Sequence, residues 1–202
     1  MIDSNKIKEI FTVEGNAILA LKETIDFESL AIIVDKIGSC NGKIVISGCG
    51  TSGVAAKKIV HSLSCISINA VYLNPTDAVH GSMGILKKND VIILISKGGD
   101  TQELVVLIDS IKAIGACLVG VGENQDSRIG KASDLFICVK VDREPDETNM
   151  LATASTLAVI STFDAVCITL MDTTNFTHDK FLINHPAGAV GERLLKEQNN
   201  KK

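Results

Sequence analysis

From residue 43 onward, short apolar runs alternate with stretches whose apolar residues recur at helical spacing. The runs at 43–47, 69–73, 91–95, 116–121 and 135–139 predict strands. Val91-Ile92-Ile93-Leu94-Ile95 contains no polar position, the pattern of a strand covered on both faces. The intervening stretches 52–64 and 101–114, and a shorter one near 127–131, predict helices. A long helix is expected from about 153 to 171, with Thr153 or Ser155 near its start, and two shorter ones near 178–183 and 188–197. Alternation of this kind predicts an α/β fold: right-handed β-α-β crossovers in a mostly parallel sheet.

Residues 4–37 stand outside that alternation and read as two helices. Ile7, Ile10, Phe11, Glu14, Ile18 and Leu21 mark one broken stripe, and Phe27, Leu30, Ile33, Val34 and Ile37 mark another. Asp26 is the expected N-cap of the second helix and Gly38 its stop. An apolar face outside the central sheet commonly meets another subunit, so residues 1–40 are assigned to packing and oligomerisation. Residues 41–196 form the ligand-binding domain, and 197–202 a polar tail expected to fray.

The stretch around which the domain is organised is Lys43 to Gly53, where a β-branched run ends in Gly48-Cys49-Gly50-Thr51-Ser52-Gly53 and a helix-compatible segment follows. A strand, a tight turn and a helix start bring bare N–H groups to one point, which suits an anion. The glycine spacing matches a dinucleotide fingerprint, but such a site wants an acid about 20 residues on, at the end of the second strand. Tyr72-Leu73-Asn74-Pro75-Thr76 offers none before Asp77, so the hydroxyls of Thr51 and Ser52 point to a small phosphorylated ligand. The same turn chemistry recurs at Ser96-Lys97-Gly98-Gly99-Asp100-Thr101-Gln102-Glu103 and at the expected helix start Thr153-Ala154-Ser155-Thr156. One such stretch is usually an ordinary cap. Three on the carboxyl edge of one sheet favour a phosphate cradle.

Composition narrows the partner. An apolar fraction of 46% and a mean hydropathy of +0.27 supply a core. A net charge of −4, with no basic cluster beyond Lys201-Lys202, argues against nucleic acid. No membrane span and no signal peptide are expected, which places the chain in the cytoplasm. The six cysteines are scattered without a C-x-x-C pair and read as small buried hydrophobes in a reducing compartment. No metal-ligand spacing and no cofactor motif stand out. The titratable candidates at the carboxyl edge are His80, Glu103, Glu144 and His185. His61 and His178 fall on helices and take the structural reading. Glu103 could also be a first-turn carboxylate favoured by the helix dipole, and Glu144 a solvated loop charge like Asp142, Asp146 and Glu147.

Taken in order, Gly48 to Gly53, Asp77-Ala78-Val79-His80-Gly81, Ser96 to Glu103, Thr153 to Thr156 and Asn184-His185-Pro186-Ala187-Gly188-Ala189-Val190-Gly191 resemble the sugar-isomerase (SIS) domain family. The similarity spans roughly 30–196 and is strongest to the short arabinose-5-phosphate isomerase branch. It implies a five-stranded sheet in a three-layer α-β-α sandwich of flavodoxin-like type. It also implies a homo-oligomer, dimer or tetramer, in which a neighbour's histidine completes the site. Longer members carry a pair of CBS modules, and the sequence here ends before them. The resemblance assigns Gly50, Thr51, Ser52, Ser96, Lys97, Thr101, Thr153 and Ser155 or Thr156 to substrate binding, with Gly98 and Gly99 giving backbone N–H groups. It assigns His80, Glu103, Glu144 and His185 to the sugar. Relatives often carry lysine at position 51, serine at 98 and glutamate at 100, and Lys97 is a neighbouring cation that could replace the lost charge.

The expected reaction is metal-independent aldose–ketose isomerisation, D-ribulose 5-phosphate to D-arabinose 5-phosphate through an enediol. The resemblance links that product to KDO biosynthesis. His185 would be the main acid–base residue, since imidazole titrates near neutrality. Another sugar-phosphate isomerase or etherase is chemically close. The alternative is a non-catalytic module that binds a phosphosugar or nucleotide-sugar and regulates a partner.

Overall fold

A computed structural model describes residues 3–188 and 192–193. Most of the helix expected at 188–197, the glycine motif at 189–191 and the polar tail lie outside the described residues. Five strands, β1 (Ile44–Gly48), β2 (Ala70–Tyr72), β3 (Val91–Ile95), β4 (Cys117–Gly122) and β5 (Leu135–Cys138), form one parallel sheet in the order β2-β1-β3-β4-β5. Ile44 pairs with Ala70 and Val91, and Val91 with Cys117, so the carboxyl ends align along one edge.

The period-2 geometry of the strands divides the core. Ile44, Ile46, Val91, Ile93, Ile95, Val119, Val121 and Ile137 face one way, with residues of α1 (Ser4–Thr24), α2 (Phe27–Gly38), α3 (Gly50–Cys65) and α8 (Ala154–Thr173). Val45, Ile92, Leu94 and Leu118 face the other way. There they meet α4 (Pro75–Ala78), α5 (Gln102–Val105), α6 (Ile108–Ile114) and α7 (Arg128–Ala132). The three-layer sandwich follows from these two clusters. Asp26 caps α2, accepting from the N–H groups of Glu28 and Ser29 at 3.0 and 3.2 Å.

Four expectations change. The helix expected over 101–114 is two, α5 and α6, because Val106 and Leu107 depart from regular α-helix between them. The cysteines are less buried than their apolar neighbours imply; only Cys167 is buried, and the other five are half-exposed. One helix, α8, does meet the length and apolarity of a membrane span, against the expectation of none. Its Ala158, Phe163, Val166 and Leu170 are spent on the core, so the apolar composition serves packing against α1, α2 and α3. The N-terminal stripe also splits. Leu21 of α1 is buried in the core, whereas Ile7, Phe11 and Ile18 remain exposed. A short α9 (His178–Asn184) follows α8.

Candidate functional site

The strand order places a topological switch between β1 and β3, the point in an open parallel sheet where ligands bind beyond the strand ends. Both glycine turns of the sequence lie there. In the first, α3 starts at Gly50 behind Cys49, which makes no side-chain capping bond. The first-turn N–H groups are thus open to an anion. A Cβ on Gly48 would sit 2.8 Å from the backbone of Ser52, so only glycine lets this helix lie so close on its strand. Tyr72 on β2 donates its hydroxyl to the Gly48 carbonyl at 3.1 Å and holds the turn from the side. Burial, with the charge of Glu103, pushes the Cys49 thiol up, which keeps it protonated and makes it a poor nucleophile.

The second turn is clamped from within and from α7. Ser96 is buried, its Oγ lies 2.8 Å from Thr101 Oγ1, and it accepts from the Gly99 N–H at 3.1 Å. Gly99 has φ +76°, and a Cβ there would fall 1.9 Å from Ser127 Oγ. Asp100 accepts from the Arg128 backbone N–H and Nε, both at 3.0 Å, and Arg128 Nη2 donates to the Asp100 carbonyl at 2.8 Å. Gly98 stays exposed, while the Gly99 N–H is taken by Ser96.

The third turn, at the α8 start, already holds an anion of the chain's own. Glu144 is fully buried and so is no solvated loop charge. Its carboxylate accepts from Ser155 Oγ, from Lys97 Nζ at 2.7 Å, from Thr153 N–H at 2.9 Å and from Ser155 N–H at 3.4 Å. Burial pushes its pKa up, but the bonds from Lys97, Ser155 and Thr153 outweigh that, and the carboxyl ends below its ordinary value. The neighbouring Asp146 is half-buried and equally bound into its loop. It accepts from Thr148, Met150 and Leu151 N–H groups at 3.0, 3.0 and 2.9 Å, and bonds led by the Thr148 hydroxyl and Leu151 N–H lower its pKa to about 2.

Between the three turns lies a cavity of ≈ 80 Å³ whose polar lining comes from Thr51, Ser52, Lys97, Ser155 and Thr156. Among the described residues, Lys97 is the one charged group in that lining. A larger groove of ≈ 620 Å³ opens at the opposite sheet edge, lined by Lys36, Lys88, Lys112 and Asp134 among others. Helices α2 and α6 end there, so Lys36 and Lys112 complement helix C-termini.

The other candidates divide by location. Thr153 stands at the α8 start with its hydroxyl buried and unpartnered among the described residues. Glu103 is exposed on the first turn of α5, near enough for its charge to act on Cys49. His80 is exposed just after α4, on the same edge of the sheet. His185 lies elsewhere. Its ring stacks on Phe181 with centroids 4.0 Å apart, and the adjacent Asn184 donates to the Cys65 carbonyl at 2.9 Å. Cys65 closes α3, a 16-residue helix about 24 Å long, so His185 sits near the far end of its own subunit. Sequence reasoning passed over Glu123. It follows β4 directly, accepts no bond at its buried Oε1 among the described residues, and lies 4.0 Å from Lys97 Nζ. Its signal was there: it is the first charged residue past the carboxyl end of β4, the position that singled out the other turns.

Comparison with known proteins agrees with this fold. A family model described as the SIS domain matches residues 37–169. A probable arabinose 5-phosphate isomerase of Haemophilus influenzae is 34% identical over 190 residues, covering 93% of this chain and 56% of that protein. The chain thus spans little more than half the length of such curated relatives. Among solved structures, a candidate sugar-phosphate isomerase of Listeria monocytogenes is 52% identical with a TM-score of 0.90, over 93% of this chain and all of that one. An Escherichia coli CFT073 protein in complex with arabinose 5-phosphate is 28% identical with a TM-score of 0.87, over 92% of this chain and all of that one. With the sheet order, the glycine turns at the switch point and the family match in agreement, the chain belongs to the SIS domain family.

Proposed function

We propose that the protein is an aldose–ketose isomerase acting on a sugar phosphate, with D-ribulose 5-phosphate and D-arabinose 5-phosphate as the leading pair. The observation that carries the reading is the uncapped start of α3 facing the clamped Ser96–Thr101 turn across the β1/β3 switch. This is an anion cradle with hydroxyls on both walls. The sugar-phosphate complex of the E. coli relative and the name of the H. influenzae protein support the choice of sugar.

In this reading Thr51, Ser52, Ser96, Gly98 and Thr101 surround the phosphate, and the phosphate's binding energy orients C1 and C2 of the sugar. A base takes the proton from the carbon next to the carbonyl, an enediol forms, and the proton returns to the neighbouring carbon. The carbonyl oxygen gains a proton as the enediol forms, and the other hydroxyl gives one up as the new carbonyl forms. His80 and Glu103, on the same edge, are the candidates for hydroxyl proton transfer. The carbon acid needs a further base, and His185 is assigned to it from the partner subunit, because within one subunit it lies a helix length from the cradle. The assignment makes the working unit a homo-oligomer. The exposed Phe11 and Leu19 on α1, together with Ile183 on α9, are available for that contact.

The test is the purified chain with D-ribulose 5-phosphate, following D-arabinose 5-phosphate. Turnover is expected. Absence of turnover with this and a panel of other pentose and hexose phosphates would remove the isomerase reading and leave a binding module.

A further inference from the structure

We propose that Glu144 acts as a positioning residue, a built-in anion that fills the α8 N-terminus and holds Lys97 at the wall of the sugar-phosphate pocket. The inference rests on the pocket assignment above and adds to it the origin of the pocket's positive charge.

A helix N-terminus facing a ligand pocket is ordinarily an open anion site. Here it is closed. Thr153 N–H, Ser155 N–H and Ser155 Oγ all turn to the Glu144 carboxylate, which is fully buried. Glu144 therefore offers no oxygen to solvent and is not placed to take a proton from a sugar carbon. Its backbone is fixed as well, since its N–H donates to Asn149 Oδ1 at 2.6 Å. The remaining donor to the carboxylate is Lys97 Nζ at 2.7 Å.

Lys97 is the opposite case. It is half-exposed, lines the cavity beside Thr51 and Ser52, and is the only charged group of that lining among the described residues. An ammonium carries three N–H donors. One goes to Glu144, and among the described residues the nearest other carboxylate, Glu123, is 4.0 Å away, beyond hydrogen-bond reach. Donors remain for an anion in the pocket. The lysine stem is flexible and costly in entropy to fix, so a buried carboxylate at its tip pre-organises it. One consequence concerns substrate class. With the α8 start occupied, the α3 and Ser96 turns can hold one phosphate, so sugar monophosphates are favoured over bisphosphates.

The experiment compares wild type with K97M, K97R, E144Q and the K97M/E144Q double variant, all as the full chain. Binding of arabinose 5-phosphate is measured by calorimetry, kcat and KM by turnover, and amide hydrogen exchange at residues 153 and 155 without ligand. Expected are dissociation constants raised about tenfold or more in K97M and in E144Q, the loss of one charge-assisted hydrogen bond. K97R is expected to keep most of the affinity. The double variant is expected to be no worse than K97M, because both act on one contact. Loss of amide protection at 153 and 155 in E144Q is also expected. The proposal is overturned if the two single effects multiply, if E144Q lowers kcat with affinity unchanged, or if amide protection survives in E144Q. A wild-type chain that binds no sugar phosphate would sink the pocket assignment instead; the exchange measurement then still decides whether Glu144 is the resident anion.

Discussion

Glu144 and Asp90 are the two buried carboxylates among the described residues, and each is held ionised by a lysine and backbone N–H groups. Asp90, 2% exposed, accepts from Lys43 N–H at 2.7 Å and Lys87 N–H at 2.8 Å and pairs with Lys43 Nζ at 3.1 Å. Burial raises both pKa values, and the bonds to Lys43, or to Lys97 and Ser155, bring each below its ordinary value. The sign for stability follows directly. A carboxyl with a depressed folded pKa stabilises the fold above its unfolded value of about 4, and that contribution fades as pH falls through the folded pKa. The melting temperature should therefore hold from pH 7 to about 5 and drop below about 4. E144Q should flatten that drop. A variant that melts with the same acid slope as wild type would show that Glu144 is not a linked group. At this scale the sequence was half legible. Glu144 was visible as a candidate because it precedes a hydroxyl-rich helix start, but its burial was not, since the neighbouring Asp142, Asp146 and Glu147 give the segment the composition of a solvated loop.

The elements were the most legible level. Each strand reads as a short apolar run, and observed ends fall within a residue or two of the expected ones because Gly, Pro and Asn-Asp pairs punctuate them. The break between α5 and α6 was not legible, since Leu104, Val105, Leu107, Ile108 and Ile111 keep apolar character across it. The turns between elements carry the candidate site, and the tightest constraint falls on Gly99. Its φ of +76° disfavours any Cβ, and the Ser127 hydroxyl occupies the space a Cβ would take. Gly99→Ala should cost at least about 1–2 kcal/mol for the left-handed backbone alone. It should also weaken sugar-phosphate binding by moving Ser96 and Thr101. Urea unfolding and calorimetry check the two effects. A variant of wild-type stability and affinity would show that the turn is free to rearrange.

At the scale of the whole molecule, the sheet order and the position of His185 matter most. The alternation of strands and helices in the sequence implies α/β architecture but not strand order, which depends on which crossovers reverse direction. The switch point is therefore a finding of the structure. The sequence marked His185 by its glycine- and proline-rich loop, and no local pattern could say that it lies near the far end of α3. If the site is shared between subunits, H185A and E103A should each have low activity alone. Mixed and reassembled, they should recover part of it, because hybrid oligomers contain one intact site. Recovery is read as turnover after dissociation and reassociation of the mixture; no recovery would place His185 outside the shared site.

The activity outcomes depend on the reaction itself. The most direct measurement is conversion of D-ribulose 5-phosphate to D-arabinose 5-phosphate by the purified wild-type chain, followed by product analysis. The account predicts turnover without added cofactor, reversible from either sugar and strongly reduced in H185A. Tight sugar-phosphate binding with no conversion of any pentose or hexose phosphate would contradict it.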